Sequence, residues 1–219
     1  MAGCATVPQS SEDTTIQNLP TIGILIFDDF LLNEVSAPMD IFSKPDIEGT
    51  QLFQVVTIAK EKRSYRSEEG LTIIPDYDLS TAPALKVLVV PSSYHPEKQL
   101  ADQSLINFIT QTSPTTDFVA SHCAGAFLLG KSGIADSAKI VTYRNGGSQL
   151  QAQFPSLKVQ DDQEVAFIND GKIFSSNGNL ISYPASLALL EKLSSAAHRK
   201  HIEQSIYLDR LVETYHSNN

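Results

Sequence analysis

Three stretches of strand length, TIGILIF (21–27), FQVVTIA (53–59) and KVLVVP (86–91), are apolar at nearly every position. A strand with one face in water alternates. A run without alternation is buried on both faces, the condition of a parallel strand covered by helices above and below. Segments with helical spacing lie between these runs. Val35, Met39 and Phe42 share one face of a helix predicted over 34–43, with Asn33 as its cap. Leu105, Phe108 and Ile109 do the same over 102–112, and Leu187, Leu190 and Leu193 over 184–197. Strands alternating with helices predict an α/β fold: a three-layer sandwich, its sheet mostly parallel, with helices on both faces.

Smaller elements fill the gaps. Glu68-Glu69-Gly70 reads as a turn between short antiparallel pieces at 65–67 and 71–74. Residues 138–143 are strand-like, 149–153 a short helix, and 164–176 a hairpin turning at Asp170-Gly171. The segment 201–216 is amphipathic and charged, a docking helix or a dimer contact.

The chemistry concentrates in DFVASHCAGAFLLGKSG. An apolar run (Phe118, Val119, Ala120) stops, and an Ala/Gly-rich helical run begins, ended by Gly133. A strand that turns sharply into a helix carries its turn residue at the tip, and that residue is Cys123. Ala124, Gly125 and Ala126 are small enough to let backbone N–H groups crowd around it. The pattern is that of a nucleophile elbow with Cys in place of Ser. The helix N-terminus at such a tip favours thiolate. In open parallel sheets, sites form at the carboxyl ends of strands, where Cys123 is expected to lie.

Composition excludes several classes. The net charge of −9 and the lack of a basic stripe argue against nucleic acid as a partner. No apolar run approaches the roughly 20 residues of a membrane span. The two cysteines, Cys4 and Cys123, make neither a disulfide framework nor a zinc signature. His122 adjoins Cys123, but neighbours on an extended segment face opposite ways and no further ligand follows at metal spacing. No metal site is therefore expected.

Residues 1–20 are small, polar and proline-flanked, and read as a disordered linker. Met1-Ala2-Gly3-Cys4 matches the tetrapeptide ending in the lipidated Cys of bacterial lipoproteins, without the apolar segment that should precede it. Two addresses stay open: the bacterial cytoplasm, or the envelope with a tether lipidated at Cys4. That lipid would be the only route to a membrane. The organisation expected is a linker or tether over 1–20, one α/β domain over 21–197, and a C-terminal amphipathic helix or tail over 198–219.

The run SHCAGAFLLGKSGIADSAKIVTYRNG resembles the ThiJ/PfpI superfamily, which has the class I glutamine amidotransferase-like fold. Within it the chain looks closest to the isonitrile hydratase branch and to the sensor domains of related transcription regulators. NEVSAPMDIF, EEGLTIIPDYDL and SSNGNLISYPASLALLEKL resemble further stretches of that pattern, in order, over about 21–193. The resemblance implies a flavodoxin-like sheet. It carries the family nucleophile onto Cys123, the acid that contacts that thiol onto Glu34, and an oxyanion-pocket N–H onto Ala124. Three positions depart from the pattern: Tyr143 stands where His is common, Ser92-Ser93 where Gly-Gly is common, and Ala124 where Thr is common. The Ser93 N–H is left as a second oxyanion donor, and a Cys-His-acid triad is not supported. Tyr143, His122 and His95 are expected in the pocket, Tyr143 as its wall and His95, in the loop after a strand end, as a replacement base.

What the resemblance implies is a cysteine-dependent enzyme acting on a small molecule, without a cofactor. The substrates would be isonitriles, hydrated to N-substituted formamides, or reactive carbonyl compounds. The rival classes are a ligand-binding sensor that has lost catalysis and an oxidative-stress protein that uses Cys123. A homodimer is implied as well. Only about 25 residues follow Leu193, so a DNA-binding regulator is not expected in this chain. Glu34 and Cys123 are expected to share one proton and titrate as a unit, because two negative charges in contact disfavour each other.

Overall fold

The computed structural model describes residues 19–211. The tether with Cys4, and the last part of the amphipathic segment up to His216, lie outside the described residues. The apolar runs form β1 (Thr21–Leu25), β2 (Gln54–Ala59) and β6 (Val87–Val90). With β5 (Tyr77–Asp78), β7 (Phe118–His122), β10 (Phe167–Asp170) and β11 (Ile173–Ser176) they make one seven-stranded sheet in the order β10-β11-β7-β6-β1-β2-β5. Every neighbour pairs in parallel except β10 with β11. The core order β2-β1-β6-β7-β11 is the flavodoxin-like one. Ile22, Ile24, Val87, Leu88, Val90 and Val119 are all wholly buried, the reason these strands read as unbroken apolar runs.

Helices cover both faces. On one, α1 (Leu32–Phe42) packs against α6 (Ser182–Leu193), which in turn carries α7 (Ala196–Ser205). On the other lie α2 (Glu97–Ala101), α3 (Gln103–Thr112), α4 (Gly125–Ser132) and α5 (Gly147–Gln153). The expected antiparallel pieces are β3 (Tyr65–Arg66) and β4 (Thr72–Ile73); β8 (Lys139–Ile140) and β9 (Lys158–Val159) form a second small ladder. In the β10–β11 hairpin, Asp170 pairs with Ile173, so the turn is Gly171-Lys172, one residue later than expected.

Two helix boundaries differ from expectation for physical reasons. Asn33 does not cap α1; the helix begins at Leu32, and the Leu32 N–H donates to Glu69 Oε2 at 3.0 Å. A carboxylate from the β3–β4 turn thus satisfies a helix N-terminus 37 residues away in sequence. The helix expected over 184–197 is two. Ser194 leaves helical geometry, and the extended Ser195 starts α7 by accepting from the His198 N–H at 3.1 Å. Ile202 and His198 of α7 are buried, so this helix belongs to the domain's packing. α7 runs through residue 197, where a boundary was expected.

The chain reverses direction across the sheet between β1 and β6: β2 lies to one side, β7 and β11 to the other. Ligand sites in open parallel sheets form outside the carboxyl ends at such a reversal. The segments leaving β1, β6, β7 and β11 meet there.

Candidate active site

Cys123 follows β7 directly and adopts φ 50°. A left-handed conformation is uncommon for a residue with a side chain and persists only where the surroundings impose it. Here the Cys123 N–H donates to the Ser176 carbonyl at 2.9 Å, and its carbonyl accepts from Thr142 Oγ1 at 2.8 Å. The tip is thus fixed from both sides. Gly125 lets α4 begin immediately: a Cβ there would lie 2.3 Å from the Val90 carbonyl oxygen. Cys123 as a residue is 8% exposed, so bulk water is largely kept away from it.

Glu34 reaches the same place from the first turn of α1 and is wholly buried. Its Oε2 accepts from the Ser92 N–H at 2.7 Å, and its Oε1 from the Asn179 N–H at 3.2 Å. Gly178 closes the arrangement at φ 83°. A side chain there would lie 2.2 Å from Glu34 Oε1 and 2.4 Å from Cys123 Cβ. Its N–H donates to Ser176 Oγ at 3.2 Å, which lies 2.7 Å from His122 Nδ1.

The electrostatics follow from burial. Loss of solvent pushes the Glu34 carboxyl up to about 7, against the pull of Ser92 and the backbone N–H groups. Burial, with the Glu34 charge behind it, pushes the Cys123 thiol up to about 12, while Ser92 and the Ala124 N–H draw it down. The expectation that the helix N-terminus holds a ground-state thiolate is therefore reversed. Thiol and carboxyl share a single proton from about neutral pH upward. Thiolate forms when that proton passes to Glu34. A carboxyl so placed can take the thiol proton and give it back, which is what general acid–base chemistry at a thiol needs.

The other expected residues distribute as follows. Tyr143 is half-buried, stacks on Phe127 with ring centroids 6.1 Å apart, and donates to Gln149 Oε1 at 3.1 Å. Burial, then the nearby Cys123 charge, raise its phenol pKa, so it is a poor base. Ser93 is buried, and its hydroxyl donates to Gln99 and accepts from the His95 N–H. His95 is exposed, and among the described residues no hydrogen bond joins it to Cys123 or Glu34. His122 does line a cavity, but one on the far side of the sheet among apolar side chains. Strand alternation turns its ring to the α1/α6 side, against Phe42, Ala185 and Leu189, where burial lowers it to about 4 and keeps it neutral. The sequence alone assigns no site role to Gly178, Asn179 or Thr142, and marks Glu68-Glu69-Gly70 only as a turn. That turn holds the α1 N-terminus through Glu69 and the loop after β6 through Glu68, which accepts from the Tyr94 N–H at 3.3 Å. Besides that turn, the Asn-Gly-Asn run at 177–179 carried a sequence signal.

Residues 20–192 match the DJ-1/PfpI family. The chain belongs to that family. It is 24% identical over 173 residues to the isonitrile hydratase of Pseudomonas putida, covering 78% of this chain and 71% of that protein. To the HTH-type transcriptional regulator GbdR of Pseudomonas aeruginosa it is 22% identical over 175 residues, 80% of this chain but 47% of the regulator. The chain therefore spans about half the length of that relative. Among solved structures, a ThiJ/PfpI family protein from Pseudomonas syringae superposes with a TM-score of 0.78 at 18% identity, over 93% of this chain and 82% of that one. Drosophila melanogaster DJ-1beta does so with a TM-score of 0.75 at 16% identity, over 87% and 98%. These structures share the fold, which agrees with the sheet order and layers above.

Proposed function

We propose that the chain is a cysteine-dependent enzyme that hydrates small isonitriles to N-substituted formamides, with Cys123 as nucleophile and Glu34 as the acid–base partner. The observation that carries this reading is the buried carboxyl set against a thiol at a left-handed strand-to-helix tip. The likeness to an isonitrile hydratase supports the choice of substrate.

In the first half of the reaction the Cys123 proton passes to Glu34 and the sulfur bonds to the terminal isonitrile carbon. That carbon then takes the proton from Glu34, giving a thioimidate. In the second half Glu34 accepts a proton from water as the water oxygen bonds to the same carbon, and the proton goes to the nitrogen. The carbon–sulfur bond breaks, the formamide leaves, and the thiol regains its proton. One isonitrile and one water are consumed, and no electrons are exchanged, so no cofactor is required by this sequence. The Ala124 N–H, which faces the sulfur, is the donor nearest the developing charge, and Ser93 is the second candidate. Peptide hydrolysis fits poorly, because no His meets Cys123 among the described residues and Tyr143 cannot act as base at neutral pH.

The test is turnover of an alkyl isonitrile, followed by loss of its infrared stretch, for the wild type, Cys123→Ser and Glu34→Gln. Turnover that Cys123→Ser abolishes and Glu34→Gln slows supports the reading. A second reading, a ligand sensor, is favoured by the likeness to a regulator and by Tyr143 at a position where the family commonly has His. Saturable ligand binding without turnover of an isonitrile or an α-ketoaldehyde would establish it in place of the first. The homodimer that the resemblance implies belongs to both readings, and light scattering at micromolar concentration decides it.

A further inference from the structure

Ser92 lies two residues past the end of β6, where the resembling family commonly carries glycine. Its backbone is committed on both sides. The N–H donates to Glu34 Oε2 at 2.7 Å, and the carbonyl accepts from the Leu31 N–H at 2.8 Å. The residue is wholly buried, so its hydroxyl has no access to water. Yet among the described residues no partner meets Ser92 Oγ at full hydrogen-bond geometry. An interior hydroxyl in that condition costs stability that glycine would not lose. The groups beside it are the Glu34 carboxyl and the Cys123 thiol, and it lies within reach of both.

We propose that the Ser92 hydroxyl is a third member of the reacting centre, donating its one hydrogen to whichever of Cys123 Sγ and the Glu34 carboxylate carries the negative charge. The inference rests on the thiol–carboxyl reading above. While the proton sits on sulfur, the hydroxyl faces the carboxylate. When the proton passes to Glu34, a turn about the serine side-chain bonds brings the hydroxyl to the thiolate. A hydroxyl placed between two acceptors is aligned fully with neither, which accounts for its open bond. The gain is a charge that moves between two atoms inside a dry site with its stabilising donor already in place. The backbone N–H of residue 92 cannot do this, since it is already held by the carboxylate. A glycine would leave that N–H in place and remove only the movable donor.

The experiment is the pH profile of Cys123 alkylation by iodoacetamide, read by mass spectrometry, for the wild type, Ser92→Gly, Ser92→Ala and Ser92→Thr. The profiles are repeated in the Glu34→Gln background. Loss of the hydroxyl is expected to raise the midpoint by about one pH unit, or about tenfold less thiolate at fixed pH. Ser92→Thr keeps the wild-type midpoint, and the shift persists in Glu34→Gln. An unmoved midpoint in Ser92→Gly or Ser92→Ala, with circular dichroism showing the fold intact, overturns the proposal. A shift seen only when Glu34 is present also overturns it, because the hydroxyl would then serve the carboxylate alone. A residue that only fills space would change the unfolding midpoint and leave the alkylation profile unmoved. Alkylation needs no isonitrile, so a chain that shows the shift but no turnover refutes the hydratase reading and not this one.

Discussion

Gly178→Ala is the substitution whose cost the structure defines most sharply. Gly178 sits at φ 83° and ψ −164°, a region open almost only to glycine. Holding a residue with a side chain there costs about 1–3 kcal/mol. The new methyl would lie 2.2 Å from Glu34 Oε1, 2.4 Å from Cys123 Cβ and 3.0 Å from the Cys123 backbone nitrogen. None of these is the far end of a flexible chain, because Glu34 is pinned by two backbone N–H groups and Cys123 by its strand and by Thr142. Relief of such a clash by backbone shift costs about 1–3 kcal/mol more. The total, roughly 2–6 kcal/mol, is a large share of the 5–15 kcal/mol that holds an ordinary domain together. Urea unfolding with a slope of about 2 kcal/mol/M should then show the midpoint lowered by roughly 1–3 M. Gly171→Ala is the control, since its φ is 57° but among the described residues nothing lies within 4 Å of the added methyl, so it reports backbone strain alone. A Gly178→Ala midpoint no lower than that of Gly171→Ala, with Cys123 alkylated at the wild-type rate, would refute the argument that this glycine closes the site.

Two further outcomes can be measured on the same material. Glu34 is raised from 4.5 to about 7, so its contribution to stability is full below pH 4.5 and is lost as pH rises to 7. His122 is lowered from 6.5 to about 4, so its contribution is full above pH 6.5 and is lost as pH falls to 4. Each is worth roughly 3 kcal/mol with opposite sign, so the wild-type urea midpoint should vary little between pH 4.5 and 6.5. Glu34→Gln should rise with pH there and His122→Asn should fall; parallel profiles in all three would count against the assigned shifts. Tyr143→Phe removes only the bond to Gln149 and should cut isonitrile turnover less than about threefold, the scale of one modest hydrogen bond; a loss of a hundredfold or more would make the phenol a proton carrier.

The sheet was legible because its central strands are buried on both faces, which leaves unbroken apolar runs such as TIGIL and VLVV. Helix ends were less so. The cap of α1 comes from Glu69, a contact that exists only after β3 and β4 have folded back, so the nearby Asn33 misled. The break between α6 and α7 falls at two serines, with neither glycine nor proline to announce it. At the site, the elbow around Cys123 was readable from its small residues, and Glu34 from family likeness. The direction of the thiol's shift was not, because it depends on how much water is removed and on a carboxylate that approaches from the helix after β1. Gly178 escaped notice for the same reason: what it must avoid lies 55 and 144 residues away in sequence.

The contacts around Cys123 also set when, during folding, that sulfur becomes sheltered. Glu34, Ser92, Cys123 and Gly178 follow four different parallel strands, and the bond between Asn179 and Glu34 spans 145 residues. Contacts of that range form late, since each needs a long loop closed before it returns any stabilisation. The elbow's own fixing bond, from the Cys123 N–H to Ser176, waits for β11 to dock beside β7. Until then the thiol stands on an open strand end with no carboxylate beside it, at the ordinary acidity of a free cysteine. The side chain on which the proposed chemistry rests is therefore among the last to be protected, and a newly made chain is open to oxidants there for as long as its sheet is incomplete.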